Sequence, residues 1–164
     1  MKTRVITVGV VACIMIAAAA VIMTASVTAR DDRAEVAEDG GAVMPFDLEL
    51  TTHRFQKTMF GGVQTVVADN AADSRQVMLI REHLMKEVDA FRQGDFRDPK
   101  TIHGADMPDV ATLESRSELL RVDLLETPRG ASIVFRTPDR GVRQALHAWF
   151  DVQVQDHGAH VAHP

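Results

Sequence analysis

The sequence predicts an α+β domain on an antiparallel sheet: two hairpins, each followed by a helix, behind an N-terminal hydrophobic helix. Three observations carry this expectation. Two pairs of β-rich runs are joined by the short turns Phe60-Gly61-Gly62 and Pro128-Arg129-Gly130. Each pair is followed by apolar residues at helical spacing. A long uncharged run precedes them all.

That run covers residues 5–29, after Lys2 and Arg4 and before the cluster Arg30-Asp31-Asp32-Arg33. A basic start, an apolar core and the small-x-small sequence Val27-Thr28-Ala29 form an export pattern. At 25 uncharged residues it exceeds the ~7–15 of a signal core and the about 20 that span a bilayer. Residues 1–29 therefore fit both a cleaved signal peptide and a retained anchor, the latter tying the protein to the membrane through residues 5–29. In either case Lys2 and Arg4 hold the N-terminus in the cytoplasm. The remainder is expected to be exported, periplasmic or on the extracytoplasmic face of the inner membrane.

Cys13, the only cysteine, lies within the leader and reads as a small apolar residue there. Beyond the leader there is thus no disulfide, thiol nucleophile or cysteine–zinc site. Residues 30–43 are acidic, carry Gly40-Gly41 near their end, and read as a flexible linker. Residues 44–158 suit one exported domain with one core, and 159–164 form a histidine-containing tail.

Within the domain, residues 53–59 and 63–68 are the first two strands. Asp73 caps the first long helix, with Gln76 three residues on as in a capping box. Val77, Ile80, Leu84, Val88 and Phe91 form its apolar face, and Gly94 ends it. The order then returns: Leu120, Val122 and Leu124 alternate on a third strand, Ile133 and Phe135 lie on a fourth, and Pro138-Asp139 opens a helix carrying Val142, Ala145, Leu146, Trp149 and Phe150, ended by Gly158. An echo between residues 62–67 and 130–135 supports an internal repeat. The connection at 95–118, with Pro108 opening a short helix that ends near Leu113, is long and mixed in composition, the kind of segment in which function tends to sit.

Composition narrows the function classes. Without Lys2 and Arg4 the formal charge falls from −5 to −7, which argues against a nucleic-acid or anionic-membrane partner. No phosphate loop, dinucleotide fingerprint, His-Glu-x-x-His pattern or nucleophile elbow is present. The candidate chemistry is metal ligation. His157, His160 and His163 stand three residues apart in the tail, and imidazole is the commonest side-chain ligand for transition metals. His103 and Met107 pair an imidazole with a thioether, which favours copper over zinc. Met78 and Met85 read as helix packing residues, and His53 and His83 as packed or hydrogen-bonded histidines. His147 and Asp151, one helical turn apart, could orient one another.

From Pro45 onward the text resembles a family of small exported bacterial proteins of unknown function that often carry the label aspartate carbamoyltransferase. The resemblance rests on Pro45-Phe46-Asp47-Leu48, Thr51-Thr52-His53-Arg54-Phe55, Gly61-Gly62-Val63-Gln64, Ile80-Arg81-Glu82-His83-Leu84, Gly94-Asp95-Phe96, Ile102-His103-Gly104-Ala105-Asp106-Met107-Pro108, Ala145-Leu146-His147-Ala148-Trp149-Phe150-Asp151 and Asp156-His157-Gly158. It implies an exported domain. It carries over no catalytic residue: the Ser-Thr-Arg-Thr loop of true aspartate carbamoyltransferases has only Ser115-Arg116-Ser117 as its nearest counterpart here.

The expected function is an envelope binding module that takes copper or another transition metal through His103, Met107, His157, His160 and His163. The alternative is a structural or protein-interaction module with an envelope protein as partner. Carbamoyl transfer is the remote reading that accompanies the resemblance.

Overall fold

Two hairpins with two-residue turns make the sheet. β1 (Thr51–Thr58) pairs antiparallel with β2 (Gly61–Ala68) around Met59-Phe60, and β3 (Arg121–Thr127) with β4 (Gly130–Arg136) around Pro128-Arg129. β2 and β4 then pair antiparallel, so the four strands run in the order β1-β2-β4-β3. The computed structural model describes residues 40–41, 43–104, 107 and 109–157. The leader with its expected hydrophobic helix, nearly all of the acidic linker, Pro108, Gly158 and the tail histidines His160 and His163 lie outside these residues. Among the described residues no helix is long and apolar enough to cross a membrane.

Four helices complete the architecture: α1 (Ser74–Arg92), α2 (Arg97–His103), α3 (Val110–Ser115) and α4 (Arg140–His157). The protein is α+β, with α1 and α4 on the sheet. Each long helix follows one hairpin but packs on the other: α1 lies against β3 and β4, α4 against β1 and β2. The side chains beneath them alternate, as a one-sided sheet requires. His53, Gly62, Val66, Ala131, Ile133, Phe135 and Val122 are buried, while Arg54, Arg121 and Leu125 of the opposite phase are exposed.

The internal repeat is visible in the register. Thr58-Met59-Phe60-Gly61 and Thr127-Pro128-Arg129-Gly130 occupy equivalent hairpin turns. Under that shift Gly61↔Arg136 maps onto Val67↔Gly130, and Gln64↔Ile133 maps onto itself. The pairing thus has a pseudo-two-fold centre at Gln64 and Ile133. The sequence echo, which set Gly62 against Gly130, is out of step by one residue, and a one-residue slip exchanges the two faces of a strand.

The caps follow the same symmetry. The Asp73 side chain accepts from the Gln76 backbone N–H, and Asp139 accepts from that of Val142. The expected capping box is only half formed. The Gln76 amide, instead of reaching back to its cap, accepts from the Asp47 N–H and donates to the Asp47 carbonyl. Aligning the two caps makes Ile80 equivalent to Leu146, His83 to Trp149, Leu84 to Phe150 and Glu87 to Gln153.

The core centres on aromatic rings. Trp149 lies 5.6–5.9 Å from Phe91, Phe96, Phe135 and Phe150 in mostly edge-on contacts. Phe150 covers Gly62, where a Cβ would come within 2.5 Å of its ring, so this close approach requires glycine.

Candidate polar pocket between the helices and the sheet

Polar side chains converge where the apolar face of α1 is interrupted. Ile80, Leu84, Val88 and Phe91 are buried as the helical spacing demands, and Glu87, only 7% exposed, sits among them. His83 lies one turn earlier on the same side. His53 enters from β1 and Gln64 from β2, α2 contributes Asp98, and α4 contributes Trp149 and Gln153. These residues line a cavity of about 40 Å³. Both histidine rings pack on Phe46, His53 at 6.1 Å and His83 edge-on at 5.6 Å.

Burial sets the charge state of this cluster. The Glu87 carboxyl is pushed up to about 8, first by burial, then by its hydrogen bond to Asp98 and by the negative charges of Asp98 and Asp95. At neutral pH Glu87 therefore carries a proton and shares it with the Asp98 carboxylate. Burial pushes His83 down; Asp98 opposes this shift and Lys86 adds to it. The cluster thus holds an acid–carboxylate pair beside the His83 imidazole, whose charged form burial disfavours.

Two buried polar atoms on the cavity's lining residues have no hydrogen-bond partner among the described residues: Trp149 Nε1, a donor, and Gln64 Oε1, an acceptor. Glu87 and Asp98 also line a surface depression of about 140 Å³ on their other side, together with Lys86, Ala90, Asp95 and Arg97. The acid pair therefore borders both the cavity and the surface depression, with Asp98 exposed.

The residues singled out for metal ligation fare unequally. Met107 is buried, and its Sδ accepts a long contact of 3.9 Å from Gln153 Nε2, which sets Met107 against α4. α4 continues one further turn to His157. His103 ends α2, one residue past the cavity-lining Ile102. Among the described residues no three His, Cys, Asp or Glu side chains are placed to hold a metal ion.

Other expectations need correction. Met78 and Met85 are 49% and 52% exposed and border a surface groove between α1 and the β3–β4 hairpin, because they fall at the flank of the buried stripe of α1 and not within it. His147 and Asp151 do not orient each other. His147 donates from Nε2 to the Gly61 carbonyl at 2.8 Å, and Asp151 pairs with Lys57. Ser115 donates to the Ala111 carbonyl of its own helix, and Arg116 pairs with the capping Asp139, so both serve local structure.

The residues missed from sequence are Glu87, Asp98, Gln64 and Gln153. Two of them left a signal: Glu87 continues the stripe Ile80, Leu84, Phe91, and Gln153 continues Leu146, Trp149, Phe150. A charged or amide side chain within a core stripe marks a buried polar site. The chain matches no protein-family model, no curated protein and no solved structure.

Proposed function

We propose that this chain is an exported binding module and that its binding site is the cavity between α1, α2, α4 and the first hairpin. One observation carries the reading: a buried donor, Trp149 Nε1–H, and a buried acceptor, Gln64 Oε1, line one small cavity and find no partner among the described residues. Leaving such a group unpaired costs roughly 1–3 kcal/mol. An occupant that accepts from Trp149 and donates to Gln64 offsets that cost. The leader pattern at residues 1–29 supports export. The test is a thermal-shift screen of small polar compounds against untagged full-length protein. At least one compound should raise the Tm, and Trp149→Phe or Gln64→Leu should reduce the rise. Silence across the screen, or an equal response from the variants, refutes the reading.

A second reading, copper or another transition metal at His103, Met107 and the histidine tail, is supported by the contact between Met107 and Gln153, one turn before His157. In that reading the tail leaves α4 beside the thioether.

A further inference from the structure

If the cavity is the binding site, its lining specifies the ligand's chemistry. We propose that the occupant is a short protonated amine bearing an oxygen, of the size of ethanolamine, taken up in exchange for the proton that Glu87 and Asp98 share. Four features support this.

The first is charge. The acid pair holds one negative charge and one mobile proton. When the ammonium enters, the Glu87 O–H bond breaks, the proton leaves to solvent, and the cation faces two carboxylates. The net charge of the cluster, in which Glu87 is buried and Asp98 is exposed at the rim, is unchanged, so uptake leaves no uncompensated ion beside Glu87. Charged and titratable neighbours face the pair from each side: His83 and Lys86 on α1, Asp95 and Arg97 at the start of α2, and His53 from β1. Arg97 is engaged by Asp95 at 2.6 Å, and the low affinity of His83 for protons keeps a second cation from forming beside the first.

The second feature is the wall. Phe55, Phe91 and Trp149 line the cavity, and aromatic faces attract ammonium groups. The third is the pair of orphaned atoms. Gln64 Oε1 accepts an ammonium N–H, while Trp149 Nε1–H requires an acceptor that a bare ammonium lacks, hence the oxygen. The fourth is size and route. About 40 Å³ admits a few heavy atoms, and the acid pair that would bind the cation also lines the surface depression formed with Lys86, Asp95 and Arg97.

The test is isothermal titration of untagged full-length protein at pH 7 with ethanolamine hydrochloride, methylammonium chloride and sodium chloride, in two buffers of different ionisation enthalpy. Ethanolamine should bind with release of about one proton, and methylammonium should bind roughly tenfold more weakly. Trp149→Phe should bring the two affinities together, and Glu87→Gln should bind weakly with no proton release. Absence of ethanolamine binding, equal binding of sodium, or binding without proton release overturns the proposal. If a neutral compound raises the Tm while ethanolamine does not, only the amine assignment falls. If no compound binds, the cavity reading falls with it.

Discussion

Replacing Glu87 with Gln should make the protein more stable at neutral and alkaline pH. The carboxyl moves from 4.5 to about 8 on folding, with burial the main cause. Between these values the folded protein holds a proton that the unfolded chain has released, so stability falls as pH rises across the window. At about 1.4 kcal/mol per pH unit, the loss between pH 5 and pH 8 is at most about 4 kcal/mol. Little solvent screening reduces it, since Glu87 is only 7% exposed. Gln keeps an N–H donor for Asp98 and has no proton to lose. His83 acts in the opposite direction below 6.5, because its lowered pKa means that the unfolded chain binds the extra proton. The informative quantity is therefore the difference between wild type and variant, in which the His83 contribution cancels. Urea melts followed by circular dichroism at pH 5, 6, 7 and 8 measure it. The variant should gain on the wild type steadily, by roughly 2.5 kcal/mol at pH 7 relative to pH 5. A difference that stays flat across the window would show that Glu87 is ionised in the fold and that no shared proton exists.

Three further outcomes follow from the packing and the loop. Trp149→Ala should cost about 3–5 kcal/mol in denaturant melts, because the ring is 1% exposed among four other aromatic rings; a loss under about 1 kcal/mol contradicts the core assignment. Gly130→Ala should destabilise by about 2 kcal/mol or more, since its Cβ would stand 2.2 Å from the Val66 carbonyl oxygen across the β2–β4 pair; an unchanged Tm refutes that register. If the second reading holds, copper binding by untagged protein should weaken as pH falls through about 6.5, and should weaken again on deleting residues 157–164 or on Met107→Leu. Affinity unaltered by both changes removes that site.

The fold was largely legible because its signals are local. The two-residue turns, the alternation of Leu120, Val122 and Leu124, the Asp73 cap and the stripes on α1 and α4 each follow from a few neighbouring residues. α2 was not legible. It has no side-chain cap hydrogen bond, and Pro99 reads as a breaker although it sits in the first turn, where a missing N–H costs nothing. Met78 and Met85 misled because an apolar residue type does not reveal which side of a helix it occupies. The exchange of helices between hairpins, and the meeting of Glu87 with Asp98, depend on strand order and on the path of α2, neither of which is written in local spacing. The pseudo-two-fold explains where the polar cluster arises. Glu87 and Gln153 are equivalent positions, as are His83 and Trp149, and all four line the same cavity.

Trp149 is the only tryptophan in the chain, so its indole N–H gives a single resonance that reports directly on the cavity. A ¹H–¹⁵N spectrum of full-length protein labelled at tryptophan, titrated with ethanolamine and with any compound that raises the Tm, is the most direct test of the cavity as a binding site. The indole resonance should move with saturable occupancy, and its exchange with solvent should slow as Nε1–H gains an acceptor. A resonance that stays fixed while such a compound binds would place the ligand elsewhere and contradict the account.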